Sequence, residues 1–164
     1  MSKLYFICPT DSLEPIINDT FTSGSYYYTS LGNSITFDKH VMRQIKKLIR
    51  TKKIQEIYFV LSNDNRILLD ALGNQNFSDI TGLNDFYTQI IQQKKDSETS
   101  WQGQNHQSLI LSNHLNNKIK ELKLELSGSM ADRLKIGGKI YHKKENIFSD
   151  TYHNLIAMEC FSLN

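Results

Sequence analysis

The apolar residues of this chain form two continuous blocks of strand length. Leu4–Cys8 is the first block and ends at Pro9, and Ile57–Leu61 is the second. Continuous apolar runs of this length are typical of strands that are buried on both faces, as in a parallel sheet. The two blocks therefore predict two central strands.

Apolar residues at helical spacing lie between and after these blocks. The clearest helix is predicted to begin at Asp38, a residue type favoured as an N-cap, and its apolar face carries Val41, Met42, Ile45, Leu48 and Ile49. Its outer face is basic, and we interpret it as a solvated face whose charge suits the C-terminal end of a helix. Four more helices are predicted over Leu13–Ile17, Arg66–Leu72, Leu83–Lys95 and His114–Leu126.

Three further strands complete the pattern. Ser25–Thr29 contains three consecutive tyrosines, which we interpret as half-buried sheet residues, and Leu134–Tyr141 and Ile147–Tyr152 flank a turn at Lys143–Asn146. The polar stretch 96–107 is predicted to be a mobile loop, and Ser127–Asp132 a second loop. Alternation of strands and helices predicts an α/β fold with a mainly parallel sheet.

Composition limits the class of protein. The chain has 164 residues, 39% of them hydrophobic and 22% charged, which predicts a single globular domain over 1–164. The formal net charge of +2 argues against nucleic acid or an anionic membrane as a partner. The frequent Asn, Ile and Lys suggest an AT-rich bacterial genome.

The N-terminus and the cysteines indicate the compartment. The longest apolar run is about five residues, too short for a membrane span or the core of a signal peptide. The chain has two cysteines, Cys8 and Cys160, which form no disulfide framework. We therefore expect a cytoplasmic protein.

Small polar residues follow both central strands. Ligands of open α/β sheets bind beyond the carboxyl ends of the strands. Cys8-Pro9-Thr10-Asp11 follows the first strand here, and Ser62-Asn63-Asp64-Asn65 follows the second. The sequence thus predicts a site at this edge of the sheet.

The order of these segments resembles the β-class carbonic anhydrases over nearly the whole chain. That family opens with a strand ending in Cys-x-Asp-x-Arg, followed by an Ala-Gly turn, a long helix and a second strand ending in His-x-x-Cys. In the same order, the segments of this chain that resemble these features are Leu4–Cys8, Ser30–Gly32, Thr36–Ile49 and Glu56–Leu61. Near the end of the chain, Ile136–Tyr141 resembles the family's late Gly-x-Val-Tyr strand, and Ile147–Phe148 resembles the partner of that strand.

The resemblance implies a fold and an assembly. The fold is a mostly parallel four-stranded sheet flanked by helices, with a C-terminal strand pair. The assembly is a homodimer, in which helices and loops of one subunit complete the pocket of the other.

The metal site of that family is incomplete in this chain. The family holds zinc with two Cys and one His beside an Asp–Arg pair. Only Cys8 stands at a ligand position, because Ser62 replaces the His and Asn65 replaces the second Cys. Asp11 falls one place late, and no Arg follows it in this segment. A lone thiolate holds Zn²⁺ poorly, and without the ion nothing lowers the pKa of a water from about 15.7 to about 7.

The resemblance therefore implies a zinc-less relative that uses no cofactor and does not hydrate CO₂. Its degenerate pocket is formed by Cys8, Thr10, Asp11, Ser62 and Asn65. A replacement site is not expected elsewhere, because no histidine forms a spaced pair with a cysteine. We interpret the five histidines as scattered surface residues; they are His40, His106, His114, His142 and His153.

Single residues of the pocket also have ordinary interpretations. Cys8 is interpreted as a buried residue at a strand end, since no base lies near it in sequence. Asp11 and Asp64 are interpreted as capping or turn residues.

Three functional hypotheses follow. The first is a non-catalytic carbonic-anhydrase-like protein that binds a small anion, a metabolite or a protein partner in the degenerate cleft. The second is a metal-free enzyme that uses Cys8 or Asp11. The third is a genuine carbonic anhydrase, a carbonate dehydratase whose zinc ligands lie at other positions.

Overall fold

The two apolar blocks form adjacent central strands of one sheet. The computed structural model describes residues 1–22, 24–100 and 106–152, without the side chains of 97–100. The strands are β1 (Ser2–Ile7), β2 (Gly24–Thr29), β3 (Ile54–Ser62), β4 (Lys135–His142) and β5 (Ile147–Asp150). The helices are α1 (Glu14–Thr20), α2 (Lys39–Lys52), α3 (Arg66–Leu72), α4 (Asn84–Ser100), α5 (His106–Leu126) and α6 (Ser129–Arg133). Single 3₁₀ turns lie at Pro9–Asp11 and Leu31–Asn33.

The strand order across the sheet is β2-β1-β3-β4-β5. The first four strands run parallel to their neighbours, and β5 pairs antiparallel with β4. The predicted parallel four-stranded sheet and C-terminal strand pair are therefore confirmed. They share β4, so together they form a single five-stranded sheet.

Both faces of the central strands are covered, which explains their continuous apolar sequence. Side chains alternate between the faces of a strand. Leu4 and Phe6 belong to the larger core cluster, which includes residues of α2, α4 and α5. Tyr5 and Ile7 belong to a smaller cluster with Leu13 and residues of α1. The sheet thus lies between a thick layer of helices and one short helix.

The five predicted helices are confirmed, although α5 begins at His106 rather than at His114, and two loop predictions need correction. Asp38 caps α2 by accepting a 2.8 Å bond from the backbone N of Val41. The predicted loop at 96–107 is wrong for 96–100 and 106–107, which belong to α4 and α5; residues 101–105 lie outside the described ranges. The predicted loop Ser127–Asp132 contains most of α6.

Tertiary packing explains why the polar stretch is helical. α4 packs against α3 and α5, and its residues Phe86, Tyr87 and Ile90 are buried. Most of the stability of a helix in a protein comes from packing of this kind. Packing of the N-terminal half of α4 therefore stabilises the helix, which continues beyond its predicted end at Lys95.

The turn Leu31–Asn33 lies beneath the carboxyl ends of β1 and β3. Asn33 is fully buried, and its Nδ2 donates to the carbonyl of Phe6 at 3.1 Å and to that of Val60 at 3.0 Å. Gly32 has a φ of 60°, and a Cβ there would lie 3.0 Å from the ring of Phe86. One side chain thus joins both central strands next to the predicted site.

Of the helices in the described ranges, none is both long enough and apolar enough for a membrane crossing.

Replacing Asn33 with Ala tests this junction. The variant removes the donor from two strand carbonyls, so we expect the free energy of unfolding to fall by about 2–4 kcal/mol in urea titrations. Asn117→Ala, which removes a partly exposed amide from α5, is the matched control and should change stability by less than about 0.5 kcal/mol. Equal effects of the two variants would contradict the bridging role of Asn33.

Candidate functional site

The structure brings the five predicted pocket residues to one edge of the sheet. Cys8 directly follows β1 and Ser62 ends β3, and these strands are parallel neighbours. Thr10 and Asp11 lie in the first 3₁₀ turn, and Asn65 is the N-cap of α3. We refer to Cys8, Thr10, Asp11, Ser62 and Asn65 as the strand-end cluster.

The carboxylate of Asp11 joins the two strand ends. Its Oδ2 accepts a bond from the backbone N of Ser62 at 2.8 Å, and its Oδ1 accepts one from Nδ2 of Asn65 at 2.8 Å. The local turn role that we predicted for Asp11 is thus incomplete, because both partners lie more than 50 positions along the chain. Asp11 ties the segment after β1 to the end of β3 and to the start of α3.

The side chains of Ser62 and Asn65 are both buried and hydrogen-bonded. Besides donating to Asp11, Asn65 accepts a 2.9 Å bond from the backbone N of Leu68 and so caps α3. The hydroxyl of Ser62 donates to the carboxylate of Asp64. Both residues therefore already have partners within the protein.

Cys8 is fully buried, as predicted. Its Sγ accepts a bond from the backbone N of Gly32 at 3.1 Å and lies 3.0 Å from Oγ1 of Thr10. The thiol thus lies on the buried side of the cluster, whereas Thr10 is exposed and Asp11 is half-buried.

Burial raises the pKa of Asp11 to about 6. The nearby charge of Asp64 raises it further, while the bonds from Ser62 and Asn65 and the charge of Lys143 lower it. Lys143 also lies 3.6 Å from Asp64. The cluster therefore contains a carboxyl group that changes charge close to neutral pH.

His114 is a residue that the sequence interpretation placed wrongly. It is buried rather than on the surface, and its Nε2 donates to the carbonyl of Gly32 at 2.8 Å. Burial lowers its pKa to about 4, so the ring is neutral at pH 7. The available signal was its place on the buried face of α5, four residues after Ile110.

Lys118 is a second buried polar residue that the sequence analysis missed. Its Nζ donates to the carbonyl of Ile35 at 3.0 Å and pairs with Glu121 at 2.9 Å. It lies one helical turn after His114, so α5 bonds the turn at Gly32 and the segment just after it at Ile35. Both side chains support the site from below.

The side chains of Ser62 and Asn65 in the strand-end cluster are not of the types that bind zinc. Zinc takes thiolate, imidazole or carboxylate ligands, whereas Ser62 and Asn65 offer a hydroxyl and an amide. The described ranges contain no group of three His, Cys, Asp or Glu residues that could hold a metal. Cys160 and His153 lie outside those ranges.

No protein-family model and no curated protein matches the sequence. Solved structures do match. The β-carbonic anhydrase CafD of Aspergillus fumigatus has a TM-score of 0.71 at 16% identity, over 93% of this chain and 90% of that one. CafA of the same fungus gives 0.69 at 13%, over 96% and 79%. A tetrameric β-carbonic anhydrase of Sordaria macrospora gives 0.67 at 12%, over 90% and 79%.

This likeness extends over nearly the whole chain at very low identity, and it shows the fold. The chain has the β-carbonic anhydrase fold, as the order of its segments predicted. The fold by itself does not establish an activity.

The opposite pKa shifts of Asp11 and His114 predict a specific pH dependence. The pKa of Asp11 rises from 3.8 to about 6 on folding, so this group lowers stability as the pH rises through that interval. The pKa of His114 falls from 6.5 to about 4, so it lowers stability as the pH falls. The two contributions therefore oppose each other.

Single variants should separate the two contributions. We compare the free energy of unfolding of each variant with that of the wild type as the pH is lowered from 7 to 4. Over this range Asp11→Asn should become about 2 kcal/mol less stable relative to the wild type, and His114→Gln should become more stable by a similar amount. Urea unfolding at several pH values measures both. Profiles of the variants that run parallel to the wild type would contradict the assignment.

Proposed function

We propose that this chain is a non-catalytic protein of β-carbonic anhydrase fold that binds a small ligand or a protein partner at the strand-end cluster. The observation that carries the proposal is the pair of hydrogen bonds that the carboxylate of Asp11 accepts from the backbone N of Ser62 and from Nδ2 of Asn65. It connects two residues at the family's ligand positions through a carboxylate of the chain itself. The strand ends are therefore held together without any need for a metal.

The outer side of the cluster supports ligand binding. Thr10 presents an exposed hydroxyl, and Asp11 is half-buried. Asp64 and Lys143 lie exposed beside them and add one charge of each sign. Such a set of donors and acceptors suits a small anion or a short hydrogen-bonding metabolite. Near pH 6 the carboxyl of Asp11 can either donate or accept.

The two enzymatic alternatives have less support. A nucleophilic cysteine needs access to substrate and a base or positive neighbour, whereas the thiol of Cys8 is fully buried and bonded to Gly32 and Thr10. A genuine carbonic anhydrase with a non-standard zinc site is supported by the fold alone.

We also propose that the chain is a cytoplasmic homodimer. A tetrameric β-carbonic anhydrase among the matching structures makes self-association plausible. Light scattering at several protein concentrations measures the assembly, and a monomer throughout would contradict the dimer.

Metal content tests the loss of zinc. We expect wild-type protein, offered zinc and then desalted, to retain less than about one zinc per ten chains and to show no CO₂ hydration. The variant Ser62→His/Asn65→Cys restores the missing His-x-x-Cys ligands and should retain about one zinc per chain. Stoichiometric zinc on the wild type would overturn the proposal, and CO₂ hydration would then favour the carbonic anhydrase alternative.

Thermal shift tests ligand binding at the cluster. A small anion or polar metabolite at about 100 times its Kd should stabilise the protein by about 2.7 kcal/mol. Thr10→Val removes the exposed hydroxyl and should reduce this shift, whereas the matched control Thr88→Val, at an exposed site on α4, should not. If no member of a broad panel shifts the wild type, the small-ligand form of the proposal fails.

A further inference from the structure

Positive charge is concentrated on one helix of this nearly neutral chain. The segment Lys39–Lys53 holds seven of the 19 Lys and Arg residues and none of the 17 Asp and Glu residues. The rest of the chain thus has 12 basic and 17 acidic residues, a formal charge of −5. The net charge of +2 conceals this separation.

The cations of α2 border an open groove of about 510 Å³. They are Lys39, Arg43, Lys46, Lys47 and Arg50. Residues three or four apart lie on the same side of a helix, so these cations form a continuous stripe. The helix has 14 residues and is therefore about 21 Å long. Met42, Thr51 and Glu125 complete the lining.

The described residues of the chain do not neutralise the stripe. Within the described ranges, none of its five cations forms a salt bridge, whereas Lys118 and Lys139 elsewhere do. Glu125 is the one acidic residue among those that line the groove. Four of the five cations are exposed, and Lys46 is half-buried. Their charge is thus available to a partner.

We propose that this stripe on α2 is a docking surface for a short acidic segment of a protein partner. Opposite charge on such a segment would speed its association and fix its register. The aliphatic stems of the Lys and Arg side chains supply apolar contact below the charged groups. This surface is a second interaction site, separate in its residues from the strand-end cluster.

The dimensions and surroundings of the stripe favour a short segment over a long polyanion. A nucleic acid strand or an anionic membrane would extend beyond about 21 Å and meet a chain that carries −5 outside Lys39–Lys53. Among the described residues, those that line the groove also include no aromatic side chain on which a base could stack. An acidic protein segment of matching length avoids both problems.

Fluorescence anisotropy tests the surface. The probe is a labelled helical peptide with a stripe of glutamates about 20 Å long, and its twin with glutamines is the uncharged control. Arg43→Gln/Lys47→Gln should weaken binding about three- to tenfold. Lys95→Gln/Lys144→Gln removes the same charge from exposed positions outside the stripe and should leave binding unchanged. Circular dichroism confirms that both variants fold.

The proposal is supported if the glutamate peptide binds, if added salt weakens the binding, and if the stripe variant weakens it while the control variant does not. Absent binding, or equal weakening by both variants, overturns it. Tighter binding of a single-stranded oligonucleotide or of phosphatidylserine vesicles than of the peptide would also overturn it, in favour of that class of partner.

Discussion

The carboxylate of Asp11 is the interaction on which the candidate site depends. Parallel strands place their carboxyl ends side by side, but nothing in the sheet itself joins the segments that leave them. Asp11 does so with two bonds, to the backbone of Ser62 and to the amide of Asn65. Because Asn65 also caps α3, one carboxylate orients the last residue of a strand and the first turn of a helix. These hydrogen bonds require that the carboxyl group of Asp11 be partly buried, and this burial raises its pKa.

A second set of buried polar groups holds the floor of the site. Asn33 joins β1 and β3 through two carbonyls. From α5, His114 bonds the carbonyl of Gly32 in the same turn, and Lys118 bonds the carbonyl of Ile35 just after it. Each of these groups is buried, and a buried polar group is costly unless it has a partner. The turn therefore has few alternative positions, and Cys8 packs against it through Gly32. The cluster above is built on a rigid base.

The chain has the β-carbonic anhydrase fold, and the carboxylate of Asp11 joins the ends of its two central strands. Catalysis by a metal requires particular ligands, but the sheet needs only that its strand ends be joined. Asp11 meets the second requirement by accepting bonds from Ser62 and Asn65, and under the proposed function the chain does not meet the first. The two faces of α2 also have different roles. The inner face of the helix packs in the core, whereas packing does not restrict the residues of the outer face, which carries the basic stripe. The two interactions that we propose for this chain therefore depend on side chains at two separate surfaces.

The sequence by itself determined the strands, the helix α2 and the parallel sheet, because continuous apolar blocks and helical spacing report burial directly. It also brought Cys8, Thr10, Asp11, Ser62 and Asn65 to one edge, since they follow neighbouring strands. Only the tertiary structure decided that Asp11 bonds Ser62 and Asn65, that His114 bonds the carbonyl of Gly32, and that the polar end of α4 is helical. These features depend on contacts between residues far apart in the chain, and local pattern carries no information about which distant groups will meet.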